Sequence, residues 1–419
     1  MNIDVKSYLK KEYVLESLII LIIFSLTWFG FGKYMAVLIT TAFLFCFFFK
    51  EKVKFLIKDR FFIVILLIFT LNNVVSSLLS IDRLISTFLS IVWFFVIFIP
   101  TSYVRFSINE KNVFFIRWIV PISFLISFII LIYLSSLFIY DLTTGRFIAL
   151  NEIVKFDHAI KRYTFLFLGK ASTPDTIIML GGIGYGFIRQ KNDKKNLWYG
   201  FIYLIFCLFG VFLTFDRGGF ISFFIIMIIL LSFDYKRLIL FILLIGLLVL
   251  LSFKIEHLKG VQHFYNYFYS QHSRLLLKKF SQIATFKSAW GMIKDYWLFG
   301  VGTNNFSKFS KQYGNHLWFA YAHNFILQFW AENGLFGMIL GLTIIGIILY
   351  RWLKSFNQYK YKYIVLGVGA SFIGMLIGNL TNSTIWILKI ALPFWLLAGI
   401  INAIYFLIKK EEENKRLLT

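Results

Sequence analysis

Residues 197–233 read LWYGFIYLIFCLFGVFLTFDRGGFISFFIIMIILLSF, two apolar runs, 197–214 and 218–233, on either side of the pair Asp216-Arg217. Neither run shows polar residues returning at helical period, as a helix laid on a soluble core would. Each is apolar all round and close to the roughly 17 residues that a helix needs to cross bilayer hydrocarbon. The charged pair belongs at a water boundary between two spans; read without it, the stretch is one long helix. Similar runs recur at 15–32, 34–49, 61–80, 84–100, 113–140, 172–188, 238–254, 334–350, 362–381 and 384–408, which makes twelve candidate spans.

Hydrophobic residues fill 59% of the 419 positions and charged residues 15%, a balance that places the chain in lipid. With four prolines and long runs rich in Phe, Ile and Leu, its backbone groups must be satisfied inside helices. A transmembrane barrel would show short alternating segments instead. The expected fold class is all-α, a polytopic integral membrane protein. The opening MNIDVKSYLKKEY leads into an apolar run with no small-residue cleavage site, so that run reads as a retained helix.

The formal charge of +23 is distributed between spans and not along one soluble face, which argues against a nucleic-acid partner. With a cytosolic N-terminus, the inner segments are 1–14, 50–60, 101–112, 189–196, 234–237, 351–362 and 409–419, and they hold 24 Lys and Arg. The short outer connections hold Lys33, Arg83 and Arg217. That asymmetry is the positive-inside pattern, with both termini cytosolic; a register shifted by one helix would place RQKNDKKN and KEKVKFLIKDR outside, against the rule. Two outer segments are then long, 141–171 and 255–322. The chain reads as a single membrane domain, 1–419, with 255–322 inserted as an outer loop between the ninth and tenth spans. In it, IATFKSAWGMIKD is an amphipathic stretch fit to lie along the interface. Loops of this length in compact proteins are usually functional.

A P-loop, a GxGxxG after a strand, HExxH and Cys/His groups at metal spacing are all missing, which removes support for nucleotide and zinc chemistry. Cys46 and Cys207 each sit inside an apolar run, where a thiol is a small packing residue. His257, His263, His272, His316 and His323 cluster in or beside the large loop, but their irregular spacing does not describe a metal site. Arg217 in LTFDRGGF is an ionisable residue at a membrane boundary. Its guanidinium fork suits phosphate oxygens, and Gly218-Gly219 lets a ligand approach the backbone; equally, it reads as an interfacial arginine paired with Asp216. In AHNFILQFWAENGLFG, His323 is able to carry a proton near neutral pH or to be a satisfied interfacial histidine. Asn324 follows it, and Glu332 stands before the break at Gly334 either as a ligand group or as a charge closing a helix.

Three stretches in order, LTFDRGGF, ATFKSAWGMIKDYWLFGVGTNNF and AHNFILQFWAENGLFG, resemble the core of the O-antigen ligase and polymerase family of bacterial envelope enzymes. The motifs cover about residues 210 to 340, and the span pattern extends the likeness along the chain. The resemblance implies a GT-C-like membrane glycosyltransferase that takes a glycan from a polyprenyl (undecaprenyl) diphosphate carrier and attaches it to an acceptor outside the cytoplasmic membrane. It implies that Arg217 engages the diphosphate, that His323 serves the acceptor hydroxyl or the leaving diphosphate, and that no metal or other cofactor is required. Gln282 stands where the family commonly has a second arginine, and Trp297 where it often has proline. Arg274 is then the candidate second cation, with Lys278, Lys279, Lys287, Lys161 and Arg162 as weaker ones. Substrate-binding candidates are thus Arg217, Arg274, Gln282, Asn324 and Glu332. The acceptor, whether lipid A core, a growing glycan or a protein hydroxyl, is left open. The alternative from another class is a flippase or transporter of lipid-linked glycan, for which the expected mid-span charges and paired broken helices are not seen in the sequence.

Overall fold

The computed structural model describes residues 59–98, 100–101, 129–137, 139–140, 172–190, 194–214, 216–232, 234–254, 283–314, 321–356 and 362–418. Within them the secondary structure is helical, with no strand. The long helices are α1 (Arg60–Leu78), α2 (Arg83–Phe98), α3 (Ser172–Arg189), α4 (Lys194–Leu213), α5 (Arg217–Leu231) and α6 (Tyr235–Lys254). Residues 283–295 form α7, Phe306–Ser310 the short α8, and α9 (Phe325–Ser355), α10 (Lys362–Gly378) and α11 (Leu388–Leu418) complete the set. Among the described residues, four helices are long and apolar enough to cross a membrane, those in α1, α4, α9 and α11, and α2, α5 and α10 are shorter apolar helices. The protein is a helical membrane protein.

Helix ends follow the polar punctuation read from the sequence. Asp216 caps α5, its Oδ2 accepting from the Gly219 amide at 3.3 Å, so the runs 197–214 and 218–233 are two helices and not one. The run expected at 334–350 starts earlier, at Phe325, because the helix passes through a break at Gly334. The expected spans at 15–32 and 34–49, and most of 113–140, lie outside the described residues.

Close packing is carried by small residues. In α3 a Cβ on Gly182 would meet the Gly367 carbonyl oxygen at 2.4 Å, and one on Gly186 would meet the Tyr363 carbonyl oxygen at 2.5 Å. Helices α3 and α10 therefore cross with their backbones in contact, the small-xxx-small geometry by which helices associate in lipid. Ser371 of α10 adds a hydrogen bond to the Met179 carbonyl at 2.8 Å. Around this pair pack α4, α5 and α11, while α9 packs against α1 and α11. One buried apolar cluster joins them, with Phe223, Phe372, Phe394, Leu180 and Ile344 at its centre. A second, smaller cluster (Ala289, Met292, Val301, Phe306, Phe309, Ala331) holds the segment 283–314 onto α9. Amphipathic α7 turns Ala289, Met292 and Ile293 inward and leaves Ile283, Trp290 and Lys294 exposed, as its sequence pattern predicts.

Candidate functional site

Two helix N-termini, those of α5 and α9, open toward the same turn. With its carboxylate engaged on the first turn of α5, Asp216 is buried, whereas Arg217 is exposed and forms no ion pair among the described residues. The interfacial pairing of Arg217 with Asp216 is therefore not the arrangement adopted. Arg217 stands at the positive end of the helix dipole, where an anion gains from both the guanidinium and the free amides of the first turn. The next residue, Gly218, lies against the turn that follows α10: a Cβ there would come within 2.4 Å of Thr381 Oγ1.

The same turn receives α9. Asn324 is the N-cap, its Oδ1 accepting from the Ile326 and Leu327 amides at 3.0 Å each, while its Nδ2 donates to the Leu380 carbonyl at 3.0 Å. The Phe325 amide donates to the Asn379 carbonyl at 2.9 Å. His323, half-buried, precedes the cap in the left-handed region with φ of 55°. Backbone strain in a non-glycine residue costs on the order of 1 kcal/mol and persists where the surroundings over-determine it. Here the two-sided clamp of Asn324 supplies that constraint. Two residues earlier, burial and the neighbouring Glu332 carboxylate push the Tyr321 hydroxyl up to about 12, which keeps it a neutral donor close to His323 in sequence.

Beneath the turn lies a buried polar hub that the sequence reading did not single out. Asn379 Oδ1 accepts from Thr384 Oγ1 and from the Ile385 amide, both at 3.0 Å, and its Nδ2 donates to the Met375 carbonyl at 2.8 Å. Thr384 also bonds Asp175 in the first turn of α3, and Asp175 and Asp216 interact electrostatically. The hub ties α3, α10 and the segment leading into α11 through its side chains, and the Asn379 carbonyl takes the first amide of α9. Its sequence signal was the polar string NLTNST at 379–384, wedged between two apolar runs.

Glu332 has a different place. It is buried, its Oε1 accepting from the Phe306 amide at 3.2 Å, and it lies at the break in α9. Gly334 there adopts φ of 70° and ψ of −177°, which frees carbonyls that the loop 297–302 takes up. Val301 donates to the Ala331 carbonyl at 2.9 Å, Gly302 to that of Glu332 at 2.8 Å, and Leu335 to that of Trp297 at 2.8 Å. From α1, Asn72 and Ser76 reach the Asn333 and Glu332 carbonyls at 2.8 Å each. Ser86 and Ser90 of α2 hold Thr303 at 2.8 and 2.9 Å. The polar residues of α1, inside a stretch read as a plain span, thus hold α9 at its break, and those of α2 grip the GVGTNN loop. Lys308 pairs with Asp82 at the turn between these two helices. In the segment 283–314, the Tyr313 hydroxyl donates to Asp295 at 2.5 Å, and burial together with that carboxylate pushes its pKa upward.

The structure therefore brings Arg217, His323 and Asn324 to one turn and gives Glu332 a structural occupation beside them. Lys287 is exposed on α7. Arg274, Gln282, Lys278, Lys279, Lys161 and Arg162 lie outside the described residues. Among the described residues no group of three His, Cys, Asp or Glu side chains is placed to hold a metal ion.

Residues 202–342 match the family model described as O-antigen ligase, a stretch that begins within α4, contains Arg217, His323, Asn324 and Glu332, and ends within α9. No curated protein matches the chain. The matched stretch, about a third of the chain, contains the three motifs and both helix starts that meet at the 379–382 turn, and over those residues the resemblance to the O-antigen ligase and polymerase family is borne out.

Proposed function

We propose that the protein is a membrane glycosyltransferase of O-antigen ligase or polymerase type that moves a glycan from undecaprenyl diphosphate to an acceptor hydroxyl at the outer face of the bacterial cytoplasmic membrane. The observation that carries this reading is the shared turn: the helix start bearing the exposed Arg217 and the one preceded by His323 are both fixed to residues 379–382. A cation for the departing diphosphate and a base for the incoming hydroxyl are thereby held on one rigid platform.

In the proposed reaction the acceptor oxygen attacks the anomeric carbon from the face opposite the diphosphate. The carbon–oxygen bond to the carrier breaks, the configuration inverts, and the acceptor proton passes to His323. Charge develops on the diphosphate, where Arg217 and the first-turn amides of α5 stabilise it. Arg274 is the proposed second cation. No metal is needed in this scheme, because guanidinium groups supply the positive charge. Twelve spans in a GT-C-like arrangement, both termini cytosolic and the 255–322 loop outside complete the reading, supported by the 24 Lys and Arg of the inner segments.

The decisive assay uses purified protein in detergent with an undecaprenyl-diphosphate glycan and candidate acceptors, without nucleotide and with chelator. Product formation with release of undecaprenyl diphosphate is expected. Arg217→Ala and His323→Asn, the latter chosen because Asn tolerates the left-handed backbone, are each expected to lower turnover on the order of 100-fold while leaving thermal stability near wild type. Near-normal turnover in both variants refutes the site, and lipid scrambling without transfer to any acceptor refutes the enzyme.

A further inference from the structure

At the end of the bundle away from Arg217, two arginines of neighbouring helices meet with fewer partners than their chemistry requires. Arg189, the last residue of α3, is buried, at 4% exposure. Its NH2 donates to the Tyr363 hydroxyl at 3.2 Å, and its guanidinium lies 4.4 Å above that ring. Arg237, in the first turn of α6, pairs with Asp234 and lies 5.1 Å above the Trp198 ring. The two cations interact electrostatically, and both act on Tyr185 between them.

Three buried N–H positions, Arg189 Nε and NH1 and Arg237 Nε, have no hydrogen-bond partner among the described residues. Among those residues, Asp234 is the carboxylate in an ion pair with this couple, so one positive charge is left over. Unmatched buried guanidinium donors are costly, and a planar fork with free donors is the recognition geometry for a phosphate oxygen pair. Trp198, Tyr199 and Tyr235, all at least half exposed, surround this end, together with exposed Lys195 and Lys236. Amphipathic aromatic rings and lysines at a helix end mark the headgroup level of a bilayer.

We propose that Arg189 and Arg237 bind the phosphate of an anionic lipid headgroup, with Trp198 and Tyr199 against the adjoining part of the lipid. The phosphate approaches past Arg237, whose side chain keeps 13% of its surface open, and takes up the unmatched N–H groups of both arginines. This site is independent of the transferase reading, since its test measures lipid binding and not transfer.

The test is native mass spectrometry of the purified full chain titrated with phosphatidylglycerol and with phosphatidylcholine, alongside thermal unfolding in inorganic phosphate. The wild type is expected to hold phosphatidylglycerol on the order of tenfold more tightly, and Arg189→Met with Arg237→Met to lose that preference. If the double variant does not fold, Arg189→Lys, which keeps the charge without the fork, is expected to lose most of it. Thermal protection by inorganic phosphate in the wild type alone, with no preference between lipids, overturns the lipid source and assigns the site to a free phosphate. Equal retention of both lipids with no effect of phosphate overturns the site.

Discussion

Replacing Gly334 by alanine tests how the loop 297–302 is joined to the bundle. At φ of 70° and ψ of −177° this residue occupies a region open essentially to glycine, so any side chain costs ~1–3 kcal/mol from backbone strain. The added Cβ would also sit 2.0 Å from the Leu298 carbonyl oxygen and 2.5 Å from the Phe299 nitrogen. Both are backbone atoms of the crossing loop, so neither has a flexible end to move aside. Relief requires the loop to lift from α9, which breaks two or three of the bonds made by Val301, Gly302 and Leu335 at ~1 kcal/mol each. The expected loss is therefore about 3–6 kcal/mol, enough to release the loop or prevent folding. Gly346 lies in the same helix, and a methyl group added there would have nothing within 4 Å, so Gly346→Ala is the internal control, neutral or stabilising by up to ~1 kcal/mol. Thermal unfolding in detergent, followed by intrinsic Trp fluorescence and by limited proteolysis of the 283–314 segment, reads the outcome. A Gly334→Ala protein with the melting temperature and protease resistance of Gly346→Ala refutes the argument that the crossing depends on this backbone.

Two further variants separate support from chemistry. Thr384→Val keeps the shape of the hub side chain but removes the hydroxyl shared between Asp175 and Asn379; it is expected to cost about 1–3 kcal/mol and to lower transfer in parallel, and wild-type stability in thermal unfolding would show the hub to be dispensable. Glu332→Gln retains an acceptor oxygen for the Phe306 amide, so transfer is expected to stay within about threefold of wild type while Glu332→Ala loses stability by about 2 kcal/mol. Activity abolished in the Gln variant of a normally stable protein would instead place the Glu332 charge in substrate binding.

Much of the architecture was legible in the chain. Apolar runs longer than a soluble helix needs, interrupted by charges, identify lipid-embedded helices because no other element satisfies its own backbone there. The break between α4 and α5 was marked by Asp216, a capping residue whose carboxylate meets the α5 amides wherever that helix is placed. The candidate site was legible in part. Arg217 and His323 were singled out because each carries an ionisable group at a membrane boundary, and Asn324 because it follows His323 in the motif. The polar residues that hold the turn and the neighbouring loop were not. Asn379, Thr384 and Asp175 are ordinary polar residues at span ends, and Asn72, Ser76, Ser86 and Ser90 look like tolerated polar residues inside spans.

Sequence alone determined the membrane class and, among the described residues, the helical content and the ends of most helices, because these depend on solvation of a segment by its surroundings and on local capping. Tertiary structure decided which ends meet. That Arg217 and His323, 106 residues apart, share the turn after α10 rests on the Gly182–Gly367 crossing that sets α3 against α10 and on the Asn324–Leu380 bond. The surroundings of Glu332 were decided in the same way. A carboxylate before a glycine break serves equally as ligand or as brace, and only the chain that crosses Gly334 at 297–302 and continues through Thr303, held by Ser86 of α2, brings the Phe306 amide to its oxygen.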